Sequence, residues 1–385
     1  MTTALVLSGG GARAAYQVGI LHALAQLLPA GTHNPFPIIC GTSAGAINAL
    51  SIASHPGPLR QRVASLLRVW RSLRPDQVYR TDAVGVLRNS AGLAASLVWG
   101  GYVPCKTVAL LDNAPLRRLL ERHIRFRHID EALAGGELDA VCVTAMHYGS
   151  GQSVSFFQGR QEPWTRNRRR GERAGLSIDH LLASAAIPLL FPAVRIGDSY
   201  YGDGALRQLR PLSPALRLGA DRLFVIGVSD NPLHRPRELP ARHPPSVGEI
   251  LGHMLNSAFI DSIEGEIEGL ETINQLTREL AVPVVRDGMP LRPIETLCIS
   301  PSQPLDRIAA DHIHELPRSL RLFLRSIGAT AEGGGASAAS YLLFEPGFCR
   351  RLIALGHADA MAQRQRIAAF FRLPEAAGIT ADDRP

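Results

Sequence analysis

The chain is poor in lysine and in aromatic residues. Lys106 is the only lysine among 41 basic residues, so nearly all of the positive charge, and of the net charge of +7, comes from arginine. Aromatic residues make up 6% of the 385 residues, and no nucleic-acid-binding motif accompanies them, which argues against a nucleic-acid-binding protein. Biased nucleotide composition accounts for the arginine excess, although arginine also suits phosphate or carboxylate recognition.

Cysteine is also scarce, and the motifs that bind metals through it are absent. The five cysteines are an odd number, widely spaced and mostly within apolar runs, namely Cys40, Cys105, Cys142, Cys298 and Cys349. This pattern predicts reduced thiols in the core and a reducing compartment. There is no CxxC or HExxH motif, and His312 and His314 are two positions apart, so they face different sides of a helix. These spacings therefore predict no metal site.

Long hydrophobic runs are missing as well. No run reaches the ~18 apolar residues of a transmembrane helix. The longest candidate, residues 91–104, is too short and contains several glycines. Thr2 and Thr3 lead directly into the apolar residues 4–7, without the basic and hydrophobic regions of a signal peptide. With 46% hydrophobic and 19% charged residues, the sequence predicts a globular cytoplasmic protein, one that can also contact a membrane peripherally.

A strand-to-helix turn at Ser43 stands out from this background. The apolar residues 38–40 predict a buried strand, and a GXSXG motif follows, with Gly41 and Gly45 on either side of the serine. Such a turn holds the serine in a strained conformation with its hydroxyl projecting from the sheet, and glycines leave room for the neighbouring backbone. The N–H groups of the following helix then point toward any negative charge that forms beside Ser43. The motif alone is also compatible with an ordinary glycine-rich turn.

A second glycine-rich turn lies near the N-terminus. Residues 4–7 predict a strand, and a helix is predicted over residues 14–28. A dinucleotide-binding fingerprint would need a glycine at Ala14 and an acidic residue about twenty positions further on, and both are missing. No Gly-Lys-Ser/Thr follows, which excludes a P-loop. The bare N–H groups of the glycines remain as an anion-binding site, which beside a nucleophilic serine forms an oxyanion hole.

Helices and short apolar strands alternate over the first 230 residues, which predicts an α/β fold with a largely parallel sheet. A Pro-, Arg- and His-rich stretch at residues 230–245 marks a boundary. We therefore expect a core at residues 1–230 and a mainly helical extension at residues 231–385, packed on the core. Within these parts the sequence predicts a basic loop over residues 164–170, one long helix over residues 247–280 and a mobile segment at residues 333–340.

Three blocks follow one another along the chain, namely Gly9-Gly10-Gly11-Ala12-Arg13, Gly41-Thr42-Ser43-Ala44-Gly45 and Asp203-Gly204-Ala205. In these blocks and their order the chain resembles the patatin-like phospholipases. Residues 183–188 and 191–192 are similar to the family too, and the resemblance covers about residues 4–228. It implies a three-layer α/β/α fold and an acyl hydrolase that acts on phospholipids or other fatty-acyl esters through a Ser–Asp catalytic dyad, with neither a metal nor an organic cofactor. Carried onto this sequence, Ser43 is the nucleophile, Asp203 the base and the loop Gly9–Arg13 the oxyanion hole. Ala14, where the family often has glycine, implies a tighter turn.

The residues themselves leave several roles open. Gly-Asp-Gly at Asp203 is also a common turn, and Asp198 is a nearby carboxylate in a predicted hairpin turn. A serine needs a base to accept its proton, and burial would raise the basicity of Asp203. Arg13 either positions the glycine loop by bonding carbonyls or meets a phosphate head group.

Two other enzyme classes remain alternatives. One is an acyltransferase of similar architecture, whose elbow is usually followed by a histidine base. The other is an esterase with a Ser-His-Asp triad, for which the candidates are His234, His243 and His253. In every case an anionic membrane is a candidate partner, through Trp99 and Tyr102 in residues 91–104 and through a cluster of arginines, Arg166, Arg168, Arg169 and Arg170.

Overall fold

The computed structural model describes residues 1–80, 109–229, 244, 246–259, 261–279, 285–286, 289–290, 292–326, 328 and 336–373. The predicted apolar stretch at residues 91–104, together with His234 and His243, lies outside these residues. No helix in the described part of the chain is both long enough and apolar enough to span a bilayer.

One sheet organises the described residues. Its ten strands are β1 (Thr3–Leu7), β2 (Ile38–Thr42), β3 (Ala140–His147), β4 (Gln152–Gly159), β5 (Trp164–Arg166), β6 (Arg169–Arg173), β7 (Val194–Ile196), β8 (Ser199–Asp203), β9 (Arg222–Ile226) and β12 (Glu295–Ile299), while β10 (Val285–Arg286) and β11 (Met289–Pro290) form a separate pair. The strand order in the sheet is β12-β9-β1-β2-β3-β4-β6-β5, with the β7–β8 hairpin attached to β3.

The centre of the sheet is parallel, as the sequence predicts. The four adjacent pairs from β12 through β9, β1 and β2 to β3 are all parallel. β4 turns back antiparallel to β3, and β8 also pairs with β3 in the antiparallel sense. The edge strand β12 comes from the predicted C-terminal extension, so this part of the chain continues the sheet.

Helices cover both faces of the sheet. They are α1 (Ala15–Leu27), α2 (Ala44–Ala53), α3 (Leu59–Ser72), α4 (Pro75–Val78), α5 (Ala114–His123), α6 (Phe126–Ala134), α7 (Ile178–Ser184), α8 (Ser213–Arg217), α9 (Val247–Phe259), α10 (Asp261–Glu279), α11 (Leu305–His312), α12 (Arg318–Ser326), α13 (Ala336–Ser340), α14 (Pro346–Ala362) and α15 (Arg364–Phe371).

The sheet has a hydrophobic core on each of its two faces, because the side chains of each strand alternate between the faces. Side chains of a strand point to opposite faces in turn, and in β1 Leu5 and Leu7 belong to one core while Ala4 and Val6 belong to the other. The first core packs against α1, α2 and α14, and the second packs against α8 and α10. The three-layer α/β/α prediction is therefore confirmed.

Two local predictions are wrong. The basic loop over residues 164–170 is a hairpin, because β5 pairs with β6 and Trp164 stacks on Phe157 at 5.1 Å between ring centroids. Residues 336–340 of the predicted mobile segment form the buried helix α13, whose serines bond an arginine of the N-terminal turn.

Candidate active site

Ser43 occupies a sharp turn between β2 and α2. Its φ is 55° and its ψ is −130°, a left-handed conformation that is unfavourable for a residue with a side chain. Both flanking glycines are needed for the turn to close. A Cβ on Gly41 would lie 2.5 Å from the Cα of Ala46, and one on Gly45 would lie 2.3 Å from the carbonyl oxygen of Ser8. The turn thereby places the Ser43 hydroxyl at the carboxyl edge of the sheet.

Asp203 ends β8 beside this serine. The Ser43 hydroxyl donates a hydrogen bond of 2.6 Å to Oδ2 of Asp203, and the N–H of Ala205 donates one of 3.0 Å to Oδ1. The carboxyl group is fully buried. Burial raises the pKa of Asp203 to about 7, while the hydrogen bonds from Ser43 and Ala205 act in the opposite direction. A carboxylate with this pKa is a far stronger base than an exposed aspartate and is still ionised in part at neutral pH.

The sequence-predicted alternatives to Asp203 lie elsewhere or outside the described residues. Asp198 is exposed in the turn of the β7–β8 hairpin, where it pairs with Arg195 at 3.1 Å. Among the residues that the structure describes, no histidine hydrogen-bonds Ser43 or Asp203, and His253 is exposed on α9.

Ser184 supports the turn, and sequence reasoning assigned it no role. The N–H of Ser43 donates 2.8 Å to the hydroxyl oxygen of Ser184, which in turn donates 2.6 Å to the carbonyl of Thr144 in β3. Ser184 is completely buried at the end of α7. It thus ties the strained backbone at Ser43 to the neighbouring strand. The only signal in the sequence was its place within the block at residues 183–188.

In the predicted oxyanion loop, Gly9–Arg13, only some of the N–H groups donate to acceptors in the protein. The N–H of Ala12 donates 3.0 Å to the carbonyl of Tyr341, and the N–H of Arg13 donates 3.1 Å to the carbonyl of Gly10. Within the described part of the chain, the N–H groups of Gly10 and Gly11 have no protein acceptor. Gly11 has a φ of 56°, and a Cβ there would lie 2.2 Å from the Tyr341 oxygen, so glycine is needed.

Arg13 fixes this loop to a distant segment. Its side chain is 2% exposed, and its Nε donates 2.7 Å to the hydroxyl of Ser340 while Nη2 donates to Ser337. The guanidinium also lies over the Tyr341 ring, 4.5 Å from the centroid. The burial of Arg13 agrees with a role in positioning the glycine loop, and not with binding of a phosphate head group. The partners of Arg13 are two serines of α13 and Tyr341, the residue after α13, and no sequence motif links these residues to the site.

An apolar cavity begins at Gly11 and Ser43 and runs between α2, α3 and α5. We call it the Ser43 cavity. Most of its lining is aliphatic or aromatic, and the apolar lining residues include Ile47, Leu66, Val69, Trp70, Leu73, Leu116, Leu119, Leu120, Ile124, Ile187, Phe191 and Phe344. Such a surface suits a hydrocarbon group attached to the carbonyl that Ser43 would attack.

The chain is similar in sequence to known phospholipases. A family model described as patatin-like phospholipase matches residues 5–216. The chain is 27% identical over 202 residues to the cGAMP-activated phospholipase of Pseudomonas aeruginosa (strain BWHPSA011 / Pa011), and the match covers 52% of either chain. The chain thus spans about half the length of this curated relative.

Two solved structures are similar to the chain over most of its length. Human GIVD cytosolic phospholipase A2 is 12% identical with a TM-score of 0.45, over 96% of this chain and 60% of that one. VipD from Legionella pneumophila is 12% identical with a TM-score of 0.36, over 95% and 67% respectively.

Proposed function

Since this chain belongs to the patatin-like phospholipase family, we propose that it hydrolyses carboxylic esters of fatty acids in lipids, with Ser43 as nucleophile and Asp203 as base. The 2.6 Å hydrogen bond from the Ser43 hydroxyl to a buried carboxylate carries the proposal. Family membership and the curated phospholipase relative support a lipid ester as substrate. The apolar lining of the Ser43 cavity supports the same class.

The residues present account for both halves of such a reaction. As Ser43 Oγ attacks the ester carbonyl, Asp203 Oδ2 accepts the hydroxyl proton. The unpaired N–H groups of Gly10 and Gly11 stabilise the negative oxygen of the tetrahedral intermediate. Asp203 then gives the proton to the departing alcohol, which leaves an acyl-serine. In the second half Asp203 takes a proton from water, the hydroxide adds to the acyl carbonyl, and Ser43 is released with its proton restored.

The direct test is incubation of the purified protein with a soluble short-chain ester and with phospholipid vesicles. The expected product is free fatty acid from both. An added alcohol acceptor distinguishes hydrolysis from the acyltransferase alternative, because a transferase would produce a new ester in place of the free acid.

The oxyanion loop gives a separate prediction. Gly11→Val should lower kcat on a soluble ester by roughly 10²-fold, because one stabilising N–H group is displaced. The added Cβ meets the carbonyl of Tyr341, so the loop itself must shift. Gly31→Val is the matched control, since a Cβ on Gly31 has no atom within 4 Å. Unchanged turnover in a folded Gly11→Val protein would contradict the role of this loop. Copurified NAD or ATP would point to nucleotide binding instead.

Contact with an anionic membrane is a further part of the proposal. Arg168 is exposed in the turn between β5 and β6, with a φ of 59°. β6 runs parallel to β4, which is antiparallel to β3, so this turn lies at the same edge of the sheet as Ser43. Arg170 is already paired with Glu172 at 2.5 Å, which leaves Arg168 as the more accessible charge.

Arg168→Glu should therefore weaken binding to anionic vesicles by about thirtyfold, since each unit of charge near such a surface contributes about 1 kcal/mol and the substitution changes the charge by two units. Sedimentation with the vesicles measures the effect, and added salt should abolish the difference between the variant and the wild type. Arg127→Glu, at an exposed position of α6, is the control. Equal binding of Arg168→Glu and the wild type would show that the hairpin is not the anchor.

A further inference from the structure

Two fully buried amide side chains, Gln17 of α1 and Asn48 of α2, connect the oxyanion loop to α2. Nε2 of Gln17 donates a hydrogen bond of 2.8 Å to the carbonyl of Ser8, the residue before the loop. Nδ2 of Asn48 donates one of 3.1 Å to the carbonyl of Ala14, the residue after the loop, and one of 2.9 Å to Oε1 of Gln17. The two amides therefore hold the loop at both of its ends.

The orientation of both amides follows from their partners. The carbonyls of Ser8 and Ala14 can only accept hydrogen bonds, so the amide nitrogens must face them. The indole N–H of Trp70 can only donate, and it donates a hydrogen bond of 2.8 Å to Oδ1 of Asn48. Each bond thereby fixes the next one. An apolar side chain in place of Gln17 or Asn48 would leave buried polar groups without a partner.

These hydrogen bonds span the gap between the loop and the helix that carries the nucleophile. Asn48 lies five residues after Ser43, about 7.5 Å along the axis of α2. The start of the same helix packs directly on the carbonyl that Gln17 holds, since a Cβ on Gly45 would lie 2.3 Å from the Ser8 oxygen. Both ends of the oxyanion loop are therefore fixed relative to α2.

We propose that Gln17 and Asn48 are positioning residues that set the distance between the oxyanion N–H groups and Ser43; this inference rests on the proposed function. Neither amide is among the described residues that line the Ser43 cavity, so both act through the loop and not by contact with the acyl group. A displacement of about 1 Å in such a site can reduce the rate by about 10²-fold. Since the oxyanion forms only during the reaction, loss of either amide should reduce kcat and leave KM nearly unchanged.

Gln17→Met is the first test, because methionine has a similar length and cannot donate a hydrogen bond to the Ser8 carbonyl. We expect kcat on a soluble short-chain ester to fall at least about tenfold, with KM within about twofold of the wild-type value. Asn48→Ala removes the donor to Ala14 and should have the same effect. It replaces Gln17→Met if that variant does not fold.

Tyr16→Phe is the matched control on the same helix. Tyr16 is the neighbour of Gln17 and equally buried, but its hydroxyl donates a hydrogen bond of 2.8 Å to Oδ2 of Asp359 and not to the loop. The substitution also removes one buried hydrogen bond, so it should lower the unfolding temperature to a similar extent. Its kcat should remain that of the wild type, which separates positioning of the loop from a general loss of stability.

A double-mutant cycle with Gly11→Val shows whether Gln17 acts through the loop. When the loop is already displaced by the valine, its position has little left to lose. Gln17→Met should then reduce kcat further by less than about threefold. Independent effects would instead multiply, so the double variant would lose the product of the two single losses.

The results separate this inference from the proposed function. A loss of kcat in Gln17→Met that does not multiply with the loss in Gly11→Val supports positioning through the loop. Wild-type kcat in folded Gln17→Met and Asn48→Ala proteins, multiplicative losses, or an equal loss in Tyr16→Phe would overturn it and leave the ester hydrolase intact. A wild-type protein without Ser43-dependent hydrolysis of any ester would overturn both.

Discussion

Ser43→Ala is expected to abolish ester hydrolysis and labelling by a fluorophosphonate. The substitution removes the one oxygen that would attack the carbonyl, and the remaining groups of the site have no nucleophile to activate. Alanine can occupy the same backbone turn, because the hydrogen bond from the N–H of residue 43 to Ser184 involves only the main chain of residue 43. The fold should therefore persist, and residual hydrolysis should be close to the uncatalysed rate.

Mass spectrometry of the labelled wild-type protein gives the position of the nucleophile directly. The label should be recovered on the peptide that contains residues 38–47. Ser184→Ala is an informative second variant, since it leaves the nucleophile in place and removes only the hydroxyl that holds its N–H. Recovery of the label on another serine, or full turnover by Ser43→Ala, would overturn the assignment.

Asp203→Asn should reduce kcat by about 10²- to 10⁴-fold, the range expected when a general base is removed. The amide keeps the shape of the carboxyl group but cannot accept the Ser43 proton. In the wild type, kcat/KM should rise with pH through about 7, because burial raises the pKa of Asp203 to about 7 and only the ionised form is basic. This inflection should be absent from the residual activity of Asp203→Asn.

Stability measurements separate this loss from unfolding. Since the folded protein holds the Asp203 proton more tightly than the unfolded chain, the contribution of Asp203 to stability falls as the pH rises from about 4 to about 7. Asp203→Asn removes the destabilising buried charge, so at about pH 8 the unfolding temperature of the variant should equal or exceed that of the wild type. Asp198→Asn, in the exposed hairpin turn, should keep wild-type turnover. A folded Asp203→Asn protein with undiminished activity, or an inactive but folded His253→Ala protein, would favour a different base.

The parts of the site that the sequence could predict are those encoded by neighbours in the chain. Gly41, Ser43 and Gly45 form a turn whose geometry depends on backbone space within five residues, so the motif indicates it directly. The parallel sheet follows in the same way from short apolar runs alternating with helical patterns. Each of these signals is local.

Ser184 and Tyr341 could not be predicted, because their contributions arise from contacts between distant segments. The bond from Ser43 to Ser184 spans 141 positions, and that from Arg13 to Ser340 spans 327. Residues 333–340, rich in Gly, Ala and Ser, have a composition typical of mobile linkers. In the described part of this segment, the small side chains of α13 permit close packing against the Arg13 guanidinium, which composition alone does not reveal.

The separation between Arg13 and Ser340 also has a consequence for the order in which the protein acquires its activity during synthesis. A chain leaves the ribosome from its N-terminus, and contacts between distant positions form only after both partners have emerged. The carbonyl that accepts from Ala12 belongs to Tyr341, so the glycine loop reaches its final arrangement only after residue 341 has left the ribosome. A nascent chain that already carries Ser43 and Asp203 still lacks this support. Under the proposed function, the oxyanion loop is therefore the last part of the site to be completed during synthesis.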